Sequence, residues 1–245
     1  SHIGGQFTII PGAAFPQAEN KIDDFIPVAR ISDLLLKPGE KFDFNGSTYT
    51  YPNIKLVYWA GGNPFHHHQD LNRLNLAWQK PDTIICNEWC WNSLAKRSDI
   101  ILPCTTPLER KDIMMTPRDP YVVSMSRILE PHAQAKNDFE IFKGIARTMG
   151  LEQDFTEGKS QDEWQEWIFE QTLKKSANSN IVFPTYKDFL KKGWFKVKPP
   201  IEHTIMLKDF RNDPINNPLN TPSGKIEIFS NTVASFNYED CPGHP

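Results

Sequence analysis

The chain has 245 residues, of which 39% are hydrophobic, 12% aromatic and 23% charged, enough apolar material for one large domain or two small ones. Lys and Arg number 27 against 30 Asp and Glu, a net charge of -3, which excludes the basic field that nucleic acid selects. No apolar run approaches the roughly 20 residues of a bilayer span, so no membrane insertion is expected. Proline at 20 and glycine at 13 predict a loop-rich fold with many X-Pro corners.

Residues 1–31 lack helical period and read as an extended segment lying on a neighbouring surface. Ser32 begins a short helix that stops at Pro38-Gly39, and Phe42 to Tyr51 alternates as a hairpin turning at Asn45-Gly46. Lys55 to Ala60 is a short apolar strand, followed by Gly61-Gly62-Asn63-Pro64 and a helical stretch from His67 to Gln79. Thr83 to Cys86 is a second strand, Asn92 to Arg97 a short helix, and Asp99 to Leu102 a third strand ended by Pro103. Further along, Tyr121 to Ile128 reads as a strand, Asn137 to Met149 as a helix closed by Gly150, and Gln161 to Lys174 as an amphipathic helix. Its Trp164 and Trp167 are assigned to core packing. Lys225 to Phe229 returns to strand, and Thr232 to Phe236 to a short helix. Strands alternating with helices predict an α/β fold, a Rossmann-like three-layer αβα domain over residues 32–245 with a mainly parallel sheet.

The chemistry follows from where the strands end. In open α/β sheets ligands lie outside the carboxyl ends of the strands, where a glycine turn leads into a helix. Gly61-Gly62-Asn63-Pro64 stands at such an end, serving either as a phosphate-side turn or as a plain tight turn. Asn87-Glu88 ends the second strand about 26 residues beyond the glycines, near where such folds place an acidic group on a ribose hydroxyl. Asp138, at a helix start, is either a cap or a carboxylate matched to the two N–H donors of guanine. Arg110 either clamps phosphate or pairs with Glu109 or Asp112. Of His66, His67 and His68, successive positions diverge by about 100° on a helix and cannot share one ion, although one of them could bond a nucleotide. Cys86, Cys90, Cys104 and Cys241 have no spacing suited to zinc or an iron-sulfur cluster and read as reduced thiols. With no catalytic triad, P-loop or carboxylate pair, the residues describe a binding platform.

Four motifs, in order, carry a resemblance: Val57-Tyr-Trp-Ala-Gly-Gly-Asn-Pro-Phe-His-His-His-Gln-Asp-Leu-Asn-Arg73, Ser98-Asp-Ile-Ile-Leu-Pro103 with Leu108-Glu-Arg110, Asn137-Asp-Phe-Glu-Ile-Phe142, and Thr221-Pro-Ser-Gly-Lys-Ile-Glu-Ile-Phe-Ser230. They resemble the dimethyl sulfoxide reductase family of molybdopterin oxidoreductases, in its trimethylamine N-oxide and biotin sulfoxide reductase branch. The resemblance implies a parent enzyme with molybdenum held by two molybdopterin guanine dinucleotides, in which this domain covers one guanosine end. It implies that Asn63 and His67 border the dinucleotide, Asn87 and Glu88 meet its ribose, Arg110 approaches phosphate or guanosine, and Asp138 reads guanine. It also implies that the molybdenum-ligating serine and a C-terminal domain lie in other parts of the parent. This chain by itself is therefore expected to be inactive. The implied partners are those remaining domains and an electron donor protein, cytochrome-type or other, and the implied compartment is the bacterial periplasm, with the cytoplasm as the alternative. The competing reading is an independent Rossmann-like nucleotide-binding or scaffold module.

Overall fold

A computed structural model describes residues 15–16, 25–115, 120–176, 182–197 and 205–238. Most of the 1–31 segment and Cys241 lie outside these residues. Where the segment is described near its end, Val28–Arg30 forms a 3-10 turn that runs directly into the first helix, α1 (Ile31–Leu36). The hairpin is β1 (Lys41–Phe44) paired antiparallel with β2 (Ser47–Thr50). Its turn holds Asn45 at φ 48° and Gly46 at φ 77°, the left-handed pair that a two-residue primed turn demands.

The centre of the fold is a parallel sheet of β3 (Leu56–Ala60), β4 (Thr83–Glu88) and β5 (Ile100–Pro103), in the order β3-β4-β5. The register pairs Ala60 with Asn87 and Glu88 with Pro103, so all three strands finish on one edge. The expectation of an α/β fold on a parallel sheet is met here. The predicted His67 to Gln79 helix is α3 (Leu71–Ala77), starting later than expected, and a separate short helix, α2 (Pro64–His67), precedes it. Two caps divide them: Asn63 accepts from the amide of Phe65 with proline at the first helical position, and Asp70, in left-handed backbone, accepts from the amide of Arg73. The predicted Asn92 to Arg97 helix shortens to a 3-10 turn, Ala95–Arg97, with the Asn92 side chain accepting from the amides of Leu94 and Ala95.

A second sheet is antiparallel: β6 (Asp112–Met114), β7 (Tyr121–Met125) and β8 (Trp194–Lys196). Its middle strand falls on the predicted Tyr121 to Ile128 run and ends three residues sooner; β6 and β8 are too short for period-2 alternation to reveal them. Then come α4 (Asp138–Thr148), α5 (Glu152–Thr156), α6 (Gln161–Ser176), α7 (Tyr186–Lys192), α8 (Lys208–Asn212) and α9 (Asn231–Ser235). Lys225 to Phe229 is not a strand, because no neighbouring strand pairs with it among the described residues. Among the described residues no helix is long and apolar enough to cross a membrane.

Two apolar clusters hold these parts. One packs Leu35, Leu74, Trp78, Ile84, Cys86 and Leu94 between α1, α3 and the parallel sheet. The other packs Val122, Phe169, Phe189 and Phe195 between α6, α7 and the antiparallel sheet, with Phe169 stacked on Phe189 at 4.8 Å. The tryptophans of α6 are not its buried face: Trp167 is 38% exposed, and Trp164 donates to the carbonyl of Thr156, while Phe169 is sealed at 1%. An ion pair between Asp33 on α1 and Arg73 on α3 joins the helices of the first cluster, with Lys37 and Arg30 also near the carboxylate.

Leu74 is fully buried, so Leu74→Ala should lower unfolding free energy by about 2–5 kcal/mol in urea titration. Burial pushes the Asp33 carboxyl up, but the hydrogen bond and charge of Arg73, aided by Lys37 and Arg30, hold it below its ordinary 3.8. A lowered folded value means the pair stabilises above the ordinary pKa and is lost as pH falls through the folded one. Asp33→Asn should therefore cost up to about 1 kcal/mol at neutral pH, with wild type and variant converging in acid below the carboxylate range.

Candidate functional site

The shared edge of β3, β4 and β5 gathers most of the predicted residues. After Ala60 the chain turns through Gly61 at φ 80° and Gly62 at φ 71°, a conformation side-chain-bearing residues adopt only at a cost. His67 stands over this turn, its Cδ2 4.0 Å from where a Gly62 Cβ would lie, and is exposed. His68, beside it, sits edge-on to Trp59, and burial followed by the His67 charge pushes its imidazole down. Among the described residues, His, Cys, Asp and Glu side chains form no group of three placed to hold a metal ion. Asn63, 9% exposed, closes the turn: its amide donates to Ser93 Oγ at 3.0 Å, fastening the β3 turn to the loop that follows β4.

Asn87 is the hinge of the edge. It is 4% exposed and lies between two partners, accepting from Tyr58 Oη at 2.8 Å and donating to Asp138 Oδ1 at 2.8 Å. An ionised carboxylate only accepts, so the amide N–H must face Asp138 and its carbonyl must face the phenol. Asp138 sits at the first position of α4, yet it is not the cap: Asn137 is, accepting from the amide of Glu140 at 2.9 Å. The exposed Asp138 carboxylate is thus anchored through one oxygen, and among the described residues the other has no hydrogen-bond partner. Phe142, one turn further along α4, meets the Tyr58 ring at 5.3 Å and sets the helix against the sheet. Burial, then the Asp138 charge, raises the Tyr58 phenol above its ordinary range, against the pull of the Asn87 bond.

Glu88 follows Asn87 and is 7% exposed, with no hydrogen bond or ion pair to its carboxylate among the described residues. Its backbone carbonyl accepts from Cys104 as β4 pairs with the end of β5. Beyond β5, Thr105 donates its amide to Lys136, which donates to Pro103, and this short parallel bridge delivers α4 to the edge. Cys104 lies among three of the predicted charges. Burial pushes its thiol up to about 11, with Asp138 and then Glu88 adding to the shift and Arg110 opposing it.

Arg110 belongs to a neighbouring surface. It donates to the Thr105 carbonyl at 2.9 Å and pairs with Asp112 at 3.2 Å, while Glu109 is taken by the amides of Thr106 and His132. It lines a cavity of about 500 Å³ with Lys111, Arg127, Lys136 and Asn137, which does not include Asp138. Of the six predicted residues, then, Asn87, Glu88 and Asp138 share one strand-end cluster, Asn63 and His67 shape the adjoining turn, and Arg110 faces the next cavity. Sequence reading missed Tyr58 and Ser93 as positioning partners. It also passed over Trp89 and Trp91, 66% and 73% exposed beside Glu88; two tryptophans flanking a predicted strand end were the available signal.

The model of one protein family, molybdopterin oxidoreductase, matches residues 3–148. The chain is 44% identical over 229 residues to a trimethylamine-N-oxide reductase of Haemophilus influenzae, covering 89% of this chain and 27% of that protein. It is 42% identical over 225 residues to a dimethyl sulfoxide/trimethylamine N-oxide reductase of Cereibacter sphaeroides, covering 90% and 27%. With the biotin sulfoxide reductase of Cereibacter sphaeroides it shares 40% over 244 residues, 99% of this chain and 33% of the other. The chain thus spans about a quarter to a third of these relatives. Among solved structures, acetylene hydratase from Pelobacter acetylenicus matches with a TM-score of 0.51 and 19% identity over 79% of this chain and 24% of that one, a likeness of fold.

The charges around Cys104 make a direct test. Asp138→Asn removes the largest of the charges that raise this thiol, so iodoacetamide should modify Cys104 faster than in wild type at mildly alkaline pH. Exposed Cys90 should react first and at the same rate in both proteins.

Proposed function

The chain belongs to the molybdopterin oxidoreductase family, and on that premise we propose that it is the part of an N-oxide or S-oxide reductase that holds the guanosine end of a molybdopterin guanine dinucleotide. The observation that carries this reading is the state of Asp138. It is a carboxylate at a helix start, relieved of capping by Asn137, pinned through one oxygen by Asn87, and open at the strand ends. Guanine presents two adjacent N–H donors on one edge, and a carboxylate held in place is their natural acceptor. Adenine lacks that pair of donors.

The other residues take consistent parts. Glu88, buried beside Asn87 with its acceptor capacity uncommitted, receives a ribose hydroxyl, as acidic groups at the second strand of such folds do. Asn87 serves by orienting Asp138 as well as bordering the sugar. Gly61 and Gly62 leave the β3 turn without side chains, so a ligand can approach backbone closely there, with Asn63 and His67 at its margin. Arg110, held against the Thr105 carbonyl, adds positive charge next to the cluster for a phosphate.

When bound, the molybdenum cofactor would supply the two-electron centre that accepts an oxygen atom from an N-oxide or S-oxide such as trimethylamine N-oxide, dimethyl sulfoxide or biotin sulfoxide. This chain's own share is binding and orientation. The remaining domains of the parent complete the pocket, a separate electron donor protein reduces it, and the bacterial periplasm is the proposed compartment. Residues 32–245 form the cofactor-binding domain in this reading.

Denaturing the full-length protein should release pterin fluorescence together with guanine nucleotide. Asp138→Asn turns one of guanine's two acceptors into a donor, and should lower retained cofactor about 10- to 100-fold by equilibrium dialysis or gel filtration. Full-length active protein that yields no pterin, or an adenine nucleotide in place of guanine, would defeat the proposal.

A further inference from the structure

The last described stretch, residues 205–238, has no core. Not one of its residues is buried, while Ile215 is 86% exposed, Ile226 66% and Ile228 96%. Among the described residues it meets the hairpin at one point, where Gly46 donates its amide to the Tyr238 hydroxyl at 3.2 Å and the Phe236 ring lies against the same glycine. Ordering 34 residues costs backbone conformational entropy that exposed isoleucines do not offset.

Within this stretch the chain is prepared at one point. Thr221 to Gly224 is a built turn, closed by bonds from the Gly224 amide to the Thr221 carbonyl and from the Leu219 amide to the Gly224 carbonyl, with Gly224 at φ 68°. The Thr221 hydroxyl holds the Lys225 carbonyl, and Glu227 accepts from the Ser223 amide. Directly after it, Lys225-Ile-Glu-Ile alternates charged and apolar residues with period 2, the pattern of a strand with one apolar face. Yet among the described residues Ile226, Glu227 and Ile228 make no backbone–backbone hydrogen bond.

We infer that Ile226–Ile228 is an incoming β-strand that completes a sheet in the part of the parent polypeptide outside this chain, with Ile226 and Ile228 entering an apolar face there. The inference rests on the reading above, that this chain is a portion of a longer reductase; the relatives extend well beyond the 27% of their length that it covers. A second copy of the chain is the poorer occupant. A pair of such three-residue strands makes a two-stranded sheet of only marginal stability, and it would leave the rest of 205–238 without a core. A sheet already folded in the same polypeptide supplies backbone partners and an apolar face at no concentration cost.

Hydrogen exchange by mass spectrometry on the full-length protein tests this. Segment 225–230 should exchange about 100-fold more slowly than a free peptide of the same sequence, at every protein concentration. Ile228→Asp should abolish that protection, and Ile228→Val should keep it. Free-peptide rates in the wild-type protein overturn the inference, whatever the variants do, and so does protection that grows with protein concentration. Pterin fluorescence of the same samples separates the two claims: pterin present with an unprotected segment removes only the docking strand, and pterin absent with a protected segment removes only the cofactor reading.

Discussion

The arrangement of the strand ends depends on one buried side chain. Asn87 sits where β4 leaves the sheet and bonds Tyr58 on β3 with one end and Asp138 on α4 with the other. An amide can do this because it carries an acceptor and donors on one rigid plane. The phenol needs an acceptor, the carboxylate takes a donor, and a side chain of one kind only would leave the other partner to solvent. Through this relay the parallel sheet fixes where the first turn of α4 points.

Everything around the relay keeps it in position. The parallel bridge from Cys104 to Lys136 brings the chain to the sheet edge just before α4, and Asn137 caps that helix so that Asp138 is not consumed as a cap. Phe142 on Tyr58 presses the helix against β3. On the far side, Asn63 and Ser93 tie the glycine turn to the loop after β4. The consequence is an electrostatic concentration: two carboxylates, Glu88 and Asp138, border the half-buried Cys104 thiol, and their charges add to the upward push that its burial already gives. A site so charged is suited to donors such as guanine N–H groups and sugar hydroxyls, with Arg110 nearby for an anion.

Much of this was legible in residue order. Short apolar runs between helix signals marked β3, β4 and β5, since parallel neighbours need a crossover between them. Asn45-Gly46 marked the hairpin and Gly150 the end of α4, because left-handed backbone favours those residues. The misreadings share a cause. The helix expected from His67 starts later, at Leu71, because apolar spacing continues across Asp70 while that residue's left-handed backbone interrupts the helix. Trp164 and Trp167 looked like core by composition, but α6 turns Phe169 inward and leaves Trp167 partly to solvent. Lys225 to Phe229 has the pattern of a strand, yet no strand pairs with it among the described residues.

The sequence by itself determined the local chemistry: which segments prefer strand or helix, where glycine and asparagine permit a turn, and which carboxylates stand at strand and helix ends. Those follow from steric and hydrogen-bonding preferences of a few neighbouring residues. Only the tertiary structure decided that Asn87 would choose Asp138 across 51 positions, that Arg110 would turn to Asp112 and the Thr105 carbonyl, and that the second sheet would be antiparallel. The Asn87–Asp138 bond and the strand pairing join residues whose proximity exists only once the chain has packed, whereas Arg110 settled among partners already near it in sequence.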